Sequence, residues 1–279
     1  MKRLRLICLI ALLVVVANTA AYGGIIYQDN FDGSSSTNLN GLPPDIDNNG
    51  GTNNWQAYSG YKANGTMPAT SVNQGAWLPF APVAGNVYTL SVSMTNVGPD
   101  GTSASWYALG FAKALPVTLE TGNNRFVESP TLGRAWMIFR ANNPGANTNQ
   151  YFLGNDASGT ASSGAWTTGS PLNEGGDMDM KIVLDTTPAT WTATFFAKRP
   201  ADASYTQVST GAMPLLLQDI QAVGIARTTS TLSGNVKFFE LSVVPEPASA
   251  VLAIVGLVFV GGALNRRRLE PSLCVARQP

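Results

Sequence analysis

The side chains that could perform chemistry in this 279-residue chain are carboxylates, because the sequence contains no histidine. Without histidine, Ser-His-Asp and Cys-His nucleophiles and histidine metal sites are excluded. Two carboxylates can still cleave a glycosidic bond, one as acid and one as base or nucleophile. The nearest pair, Asp177 and Asp179, shares one face of a predicted strand. The solvent side of an amphipathic strand is the simpler explanation of both residues; catalysis and ligand contact are the alternatives.

A second group of oxygen donors lies between Asp45 and Gly50. Asp45, Asp47 and Asn49 alternate as in the first half of a calcium-binding loop, and Gly50 allows the sharp turn. The second half of that pattern fails, because position twelve is Gln56, which has one neutral oxygen where a bidentate carboxylate is needed. We therefore favour a metal-free Asn-Gly turn, with a structural calcium ion as the alternative. The sequence requires no other cofactor.

Six tryptophans lie between residues 24 and 244. Exposed rings beside amides and carboxylates suit sugar binding, because an apolar sugar face stacks on a ring while polar groups contact its hydroxyls. Trp106, Trp136 and Trp191 fall within strand patterns and are predicted to be core. Five aromatic residues in polar or Gly-rich surroundings are candidates for an exposed glycan platform, although core burial is the commoner fate of such rings: Trp55, Tyr58, Tyr61, Trp77 and Trp166.

The elements that must position these side chains are short strands, because apolar residues alternate in short runs between turns rich in Gly, Asn, Ser and Thr. The clearest run is 177–185, in which one face is apolar and the other mostly charged. A turn over 186–189 leads into a second run, 191–198. This spacing predicts an all-β domain, an antiparallel two-sheet β-sandwich. Over Met213–Ile220, Pro214 and the leucines after it predict a helical turn.

The first 23 residues have the order of a secretory signal peptide: a basic start, an apolar core and a run of small residues, with cleavage after Ala21 or Gly23. Cys8 and Cys274 lie outside residues 24–244, so no disulfide supports that domain. Seven of seventeen basic and two of seventeen acidic residues lie in the terminal segments, which leaves ten and fifteen in the domain, a net charge near −5. Nucleic acid is excluded as a partner, because phosphate binding needs a basic surface.

Three elements follow one another at the C-terminal end. Pro245-Glu246-Pro247 stops any preceding strand, and residues 248–264 are uncharged and mostly apolar. Arg266, Arg267 and Arg268 would hold the far end in the cytoplasm. As a helix, the apolar run is about 26 Å long, slightly shorter than a bilayer core of about 30 Å.

The order of these elements closely resembles the PEP-CTERM sorting signal of exported bacterial proteins, which is handled by exosortase, a membrane protease-transpeptidase. The resemblance implies a sorting signal at 245–268 with a membrane helix at 248–264, and exosortase and the membrane as partners during sorting. Residues 269–279 form a short tail that the family pattern does not include. A permanent single-span anchor is the alternative, although Pro-Glu-Pro has no role in a plain anchor.

The domain between the two signals also resembles a known fold. The sequence Asp29-Asn30-Phe31-Asp32-Gly33, the segments 39–45 and 54–56, the hairpin 178–198 and the closing run 236–243 look like concanavalin A-like, laminin-G-like jelly-roll domains. That fold carries lectins, glycosidases, lyases and structural modules, so the resemblance does not decide the function. The Glu-x-Asp-x-x-Glu arrangement of its glycosidases is absent here.

Taken together, these patterns predict an exported, non-enzymatic protein with a jelly-roll domain over 24–244. The precursor is membrane-associated, and the sorted product belongs to the cell surface or the extracellular matrix. A structural role or weak binding of extracellular polysaccharide is expected. Two alternatives stay open: a carbohydrate-active enzyme on the same fold, and a permanently anchored surface protein.

Overall fold

Short strands joined by turns make up the chain wherever its structure is described. The computed structural model describes residues 23–68, 74–97, 106–113, 132–140, 150–154, 161–165, 176–227 and 234–245. In these ranges no helix is long and apolar enough to cross a membrane. The predicted signal peptide apart from Gly23, the predicted membrane helix at 248–264 and the tail at 269–279 lie outside them.

Sixteen strands are present in the described ranges. The first eight are β1 (Gly24–Asp29), β2 (Ile46–Asp47), β3 (Gln56–Ala57), β4 (Thr66–Met67), β5 (Gln74–Pro79), β6 (Asn86–Val97), β7 (Trp106–Ala112) and β8 (Gly133–Arg140). The others are β9 (Gln150–Gly154), β10 (Ala161–Ala165), β11 (Gly176–Asp185), β12 (Thr192–Lys198), β13 (Thr206–Gln207), β14 (Met213–Pro214), β15 (Ala222–Arg227) and β16 (Gly234–Pro245).

These strands form two antiparallel sheets. The larger sheet has nine described strands in the order β13-β12-β11-β6-β16-β1-β2, with β14 beside β12 and β4 beside β16. The smaller sheet has seven, in the order β10-β9-β8-β7-β15-β5-β3. Strands far apart in the chain are neighbours in both sheets, and the first and last strands, β1 and β16, pair directly. The predicted all-β antiparallel sandwich is confirmed.

The main core lies between the two sheets and takes one face from each. On β11 the residues Met178, Met180, Ile182 and Leu184 are fully buried, as the alternation in the sequence predicts. Their strand pairs with β6 on one side and β12 on the other, with Ile182 opposite Leu90 and Phe195. Rings meet across the core, where Tyr151 of the smaller sheet stacks on Phe195 of the larger one at 5.1 Å. The two sheets therefore bury their apolar faces against each other.

The seven-stranded sheet is buried on its second face as well. Trp106, Ala108 and Ala112 of β7 belong to a second apolar cluster, whereas Tyr107, Leu109 and Phe111 of the same strand belong to the main core. Because neighbouring residues of a strand point to opposite faces, the second cluster lies on the side of the sheet away from the main core. Strands β7 and β15 are buried along their whole length for this reason.

The predicted helical turn over Met213–Ile220 is wrong. Met213 and Pro214 form β14, which pairs with Ala193 and Thr192 of β12. The next backbone N–H, that of Leu215, donates to the carbonyl oxygen of Trp191 at 2.7 Å. Pairing with a neighbouring strand satisfies these backbone groups, so the local preference of three leucines for a helix does not decide the conformation.

Candidate functional site

The predicted exposed aromatic platform is not formed by the residues that the structure describes, with Tyr58 as a partial exception. Trp55, Tyr61 and Trp77 are at most 1% exposed, and Tyr58 is half-buried and packs against the main core. Trp166 lies outside the described residues. Trp55 and Tyr61 lie in a loop region that folds onto the main core and carries their rings inward, whereas Trp77 belongs to β5 and to the second apolar cluster. Trp106, Trp136 and Trp191 are buried as predicted.

Trp55 is held by a buried carboxylate that the sequence did not single out as its partner. Its indole Nε1 donates to Asp29 Oδ2 at 2.6 Å, and the backbone N–H of Phe31 donates to Asp29 Oδ1 at 2.8 Å. Burial raises the pKa of Asp29 to about 6, against the effect of these two hydrogen bonds, and the nearby carboxylates of Asp45 and Asp32 raise it further. Phe31 has a φ of 50°, which is uncommon for a bulky residue. Asp29 thus fixes the chain where it leaves β1.

The predicted calcium ligands Asp45, Asp47 and Asn49 serve as turn and loop anchors. Asp45 Oδ2 accepts hydrogen bonds from the backbone and side-chain nitrogens of Asn30 at 2.8 and 2.9 Å. Asp47 accepts from the backbone N–H of Asn49 at 3.1 Å and from that of Asn53 at 2.7 Å. The Asn49 amide nitrogen donates to the Tyr27 hydroxyl at 2.6 Å.

The contacts of Asp47 use the oxygens that a cation in this loop would need. Burial by itself would raise the pKa of Asp47. Hydrogen bonds from Asn53 and Asn49 outweigh burial and hold the pKa below its ordinary value. The carboxylate oxygens face N–H donors, which a cation would have to displace. Within the described ranges, no group of three or more acidic, cysteine or histidine side chains converges on a metal position.

Asp177 and Asp179 lie on the outer face of the nine-stranded sheet. Asp177 is exposed, and Asp179 Oδ2 is 3.5 Å from Lys198 Nζ on the adjacent strand β12. Ser93 of β6 lies opposite Asp179 on its other side. Both carboxylates are therefore on the solvent side of an amphipathic strand, the simpler of the interpretations that the sequence allowed.

The same outer face carries a cluster of aromatic and cationic side chains that the sequence did not reveal. Lys181 Nζ lies 4.2 Å from the ring centre of Tyr205 and 4.6 Å from that of Phe196. Lys198 Nζ is 5.2 Å from the Tyr205 ring. Burial and then the charge of Lys198 lower the pKa of Lys181, and burial together with Asp179 and Glu240 raises the pKa of Tyr205 to about 12. We call Lys181, Phe196, Lys198 and Tyr205 the outer-face cluster.

The second face of the seven-stranded sheet has a different chemistry. A single row of directly paired residues runs across the sheet: Trp77, Gly224, Gly110, Trp136 and Phe152. Trp136 stacks on Phe152 with ring centres 3.8 Å apart. In the described part of the chain, no acceptor lies within hydrogen-bond range of Trp136 Nε1. The row is closed to solvent, with Trp77 and Trp136 no more than 1% exposed, so it packs as a second core.

The sequence analysis did not identify two buried arginines, Arg134 and Arg227. The groups that bind their guanidinium ions come from distant parts of the chain. Arg134, 2% exposed, binds Asp219 through Nε at 2.5 Å and Nη2 at 3.2 Å. Arg227, fully buried, donates to the carbonyl oxygens of Met67 and Pro68 and lies 5.3 Å from the Tyr107 ring. The strand patterns contain each arginine, but only pairing of distant segments supplies the carboxylate and the carbonyls.

The C-terminal Pro-Glu-Pro sequence begins inside the sheet. Pro245 is the last residue of β16, and Val243, two residues before it, pairs with Gly24 at the start of β1. Val243 is half-buried and packs against the main core, whereas Val244 is 44% exposed. Glu246 and Pro247 lie outside the described residues, as do Arg266, Arg267 and Arg268. No linker separates the sandwich from the sequence that would be sorted.

Several solved structures are similar to this chain. An endo-1,3-β-glucanase from Streptomyces sioyaensis is 14% identical, with 80% of this chain and 97% of the other covered and a TM-score of 0.46. Lectin II from Ulex europaeus is 11% identical, with 69% and 92% covered and a TM-score of 0.46. The exoplasmic domain of VIP36, in a form with bound Ca2+ and Man3GlcNAc, is 10% identical, with 70% and 84% covered and a TM-score of 0.44. These are lectin and glucanase jelly rolls of the concanavalin A-like kind, and nothing about binding or catalysis follows from likenesses of this size.

No curated protein matches the sequence significantly. The model of the PEP-CTERM protein-sorting motif matches residues 243–268, a range that includes Pro245-Glu246-Pro247, the apolar run and the three arginines. The predicted resemblance to that signal is confirmed. The motif indicates an exported protein that is anchored transiently in the membrane before exosortase acts. The chain is thus a β-sandwich protein that carries a PEP-CTERM sorting motif, and the motif starts within its last strand.

Proposed function

We propose that this chain is a non-enzymatic protein that exosortase delivers to the cell surface or the extracellular matrix, where the sandwich has a structural role. The observation that carries the proposal is the direct continuity between β16 and the sorting motif at residues 243–268. A folded body joined to a removable tag without a linker is suited to being delivered as a unit. Exosortase is the first partner, and the membrane is a partner during sorting.

The absence of enzymatic activity is supported by the surroundings of the carboxylates. A carboxylate pair that hydrolyses glycosidic bonds needs two acids about 5 to 10 Å apart across a bound sugar. Asp179 is instead beside Lys198 on the outer face of a sheet. Asp29, the buried carboxylate with the raised pKa, has both oxygens occupied by the N–H groups of Trp55 and Phe31. These surroundings support the proposal that neither carboxylate acts on a substrate.

The sorting role is tested by the mass of the exported product from cells that contain exosortase. Loss of residues 248–268, together with the tail 269–279 that follows them, is expected, whereas their retention would establish a permanent anchor. Glu246→Ala should block the loss, because it changes the middle of the Pro-Glu-Pro motif. Glu270→Ala, in the tail beyond the matched range, is the control and should be processed normally. A panel of polysaccharides incubated with the exported product should show no cleavage, and cleavage abolished by Asp179→Asn would establish an enzyme.

Weak polysaccharide binding is a second candidate function, and the outer-face cluster is the observation that favours it. Phe196 and Tyr205 are half-buried, unlike the fully buried Trp55, Tyr61 and Trp77. Their rings lie next to the cationic groups of Lys181 and Lys198, which can donate hydrogen bonds to sugar hydroxyl or carboxylate oxygens. An aromatic surface with polar groups at its edge is the usual composition of a sugar-binding surface.

Retention of the exported product on immobilised polysaccharides measures this second function. Tyr205→Ala should reduce retention. Thr89→Ala, on β6 opposite Val183 and not opposite a cluster residue, should leave it unchanged. Equal retention of all three proteins would show that the outer-face cluster does not bind sugar and would leave the structural role alone.

The proposed function needs no metal at Asp45, Asp47 and Asn49. The oxygens of Asp47 accept three hydrogen bonds from the Asn53 side chain and backbone and a fourth from Asn49. A calcium ion would have to replace these donors with its own coordination shell. Structural calcium in this loop is the alternative to the metal-free turn.

A further inference from the structure

The sorting motif and the beginning of the exported domain are joined by backbone pairing. Strand β16 lies between β6 and β1 in the nine-stranded sheet, so it is an interior strand. Within the β1–β16 ladder, Ile25 pairs with Ser242 and Gly24 with Val243. Val243 is the first residue of the matched sorting motif. The motif therefore begins within a paired interior strand of the sheet.

Close packing extends this contact beyond the ladder. A side chain at Gly23 would place its β-carbon 2.7 Å from the carbonyl oxygen of Val243 and 2.9 Å from Val244 Cγ2. The backbone at Gly23 thus lies directly against the two residues that precede Pro245. Cleavage of the signal peptide after Ala21 or Gly23, as the sequence predicts, would leave the new N-terminus beside the sorting motif.

Paired backbone is a poor substrate for an enzyme that acts on peptide bonds. Recognition of an extended peptide uses backbone N–H and C=O groups that are free to pair with the enzyme. In β16 these groups already pair within the sheet near Ser242 and Val243. Strand ends open more easily than strand centres, because opening there exposes little apolar surface.

We propose that the β1–β16 pairing controls the access of exosortase to Pro245-Glu246-Pro247. The end of the ladder, where Gly24 pairs with Val243 and Ile25 with Ser242, opens before the motif is processed. The frequency of this opening limits how fast the sorted product forms. The proposal rests on the proposed sorting function and adds a regulatory step to it.

The first experiment separates the motif from the ladder. A six-residue Gly-Ser linker is inserted between Ser242 and Val243 of the full chain, which leaves residues 243–268 intact. Processing is followed by pulse-chase in cells that contain exosortase. The linker should accelerate processing by about tenfold, the effect of relieving a net cost of about one or two backbone hydrogen bonds. The same linker inserted after Pro188, in an exposed turn, should leave the rate unchanged.

The second experiment closes the ladder reversibly. Ile25→Cys and Ser242→Cys place two thiols at directly paired positions, and residues 24–244 contain no other cysteine. In the oxidised protein the processing rate should fall by at least about tenfold, and a reductant should restore it. A second cysteine pair, Val183→Cys with Thr194→Cys, joins paired positions of β11 and β12 and is the control without effect.

The outcomes distinguish this proposal from the sorting function on which it rests. If the wild-type chain and the linker variant are processed equally fast, control by the β1–β16 ladder is wrong, and sorting stands. If neither is processed, the sorting function is wrong and the control step falls with it. Slower processing of both oxidised cysteine pairs would also overturn the proposal, because the effect would then not belong to this ladder.

Discussion

The indole Nε1 of Trp55 donates a 2.6 Å hydrogen bond to the buried carboxylate of Asp29, 26 positions earlier in the chain. The ring of Trp55 also packs edge-on against Phe239 of β16, with centres 5.1 Å apart. One side chain thus connects the first strand, the long loop that follows it and the last strand. The contact therefore contributes to the stability of β1 and β16, the strands from which the sorting motif continues.

Replacing Trp55 by Phe keeps an aromatic ring in the core and removes the N–H donor. At pH 7.5 the Asp29 carboxylate is ionised, and we expect the free energy of unfolding to fall by about 1–3 kcal/mol. At pH 4.5, where the folded protein holds Asp29 protonated, the loss should be smaller. Urea unfolding at both pH values measures the difference. Trp191→Phe, in the same core, is the control, and an equal loss of Trp55→Phe at both pH values would contradict the prediction.

Asp29 should also make stability depend on pH. Burial raises its pKa from 3.8 to about 6, so the folded protein binds this proton more tightly than the unfolded chain does. The stabilisation is full below about pH 4 and is lost as the pH rises through about 6, a total of roughly 3 kcal/mol. Asp29→Asn should remove this pH dependence. Asp202→Asn, an exposed change, should keep the wild-type profile, and an unchanged profile in Asp29→Asn would refute the assignment.

The buried Arg134 should depend strongly on Asp219. The guanidinium hydrogen bond holds the pKa of Asp219 below its ordinary value, and Lys113 adds a weaker attraction at 3.7 Å. Asp219→Ala should cost about 1–3 kcal/mol at neutral pH, because a 2% exposed cation loses its carboxylate. Lys113→Ala removes an exposed partner and should cost less than about 1 kcal/mol. Thermal unfolding of both variants shows whether Arg134, the buried cation, or Lys113, the exposed one, contributes more to the stabilising interaction with Asp219.

The opposite sign of the pKa shift gives Asp219 a distinct pH window. Because its folded-state pKa is lowered, its stabilisation is present above its ordinary pKa of 3.8 and is lost as the pH falls through the folded value. The cost of Asp219→Ala should therefore shrink in acid. The loss of unfolding free energy caused by Trp55→Phe should already become smaller between pH 7.5 and 4.5. The pH dependence of the two variants therefore distinguishes the contribution of Asp29 from that of Asp219.

Gly224 should tolerate no side chain. An alanine β-carbon there would lie 2.2 Å from the carbonyl oxygen of Ala76 and 2.8 Å from the Cβ of Trp77, both on the paired strand β5. Gly224→Ala should cost about 3 kcal/mol or more, because the backbone of β5 must move. At Gly51 the nearest atom would be Asn53 Nδ2 at 3.7 Å, so Gly51→Ala should change stability by less than about 0.5 kcal/mol. If denaturant unfolding gave equal losses of unfolding free energy for the two variants, the backbone around Gly224 would be able to move and accept a side chain, and the prediction would be wrong.

Calcium should leave the melting temperature unchanged. The oxygens of Asp47 already accept hydrogen bonds from Asn49 and Asn53, so no cation site has to be filled on folding. Asp47→Ala should cost about 1–3 kcal/mol with either calcium or a chelator present. A calcium-dependent rise in melting temperature that Asp47→Ala abolishes would instead establish a metal site in this loop.

Local patterns predicted the parts of the fold that depend on neighbouring residues. The alternation over 177–185 predicted which residues of β11 are buried, because successive side chains of a strand point to opposite faces. Met213–Ile220 was predicted incorrectly, because helix preference is weak compared with an available strand partner, here β12. Pairings between strands that are far apart in the chain, such as β1 with β16, could not be predicted, because no pattern of neighbouring residues encodes them.

The candidate site residues were harder to predict, since their surroundings come from distant segments. Trp55 and Tyr61 stand in polar sequence and are nevertheless buried, because the loop that carries them folds onto β1 and β16. Lys181, Phe196 and Tyr205 stand in separate stretches of the sequence. They form one cluster because β11, β12 and the turn before β13 are adjacent. A polar neighbourhood in sequence therefore does not indicate exposure in a sandwich with long loops.

The sequence by itself determined the absence of histidine chemistry, the cysteine-free exported domain and the presence of the sorting motif at residues 243–268, because each of these depends on residue type and order alone. Only the tertiary structure decided that the motif begins in a paired interior strand, that Asp29 is buried against Trp55, and that the predicted calcium ligands hold turns together. These features depend on contacts between residues far apart in the chain, which form when the two sheets pack.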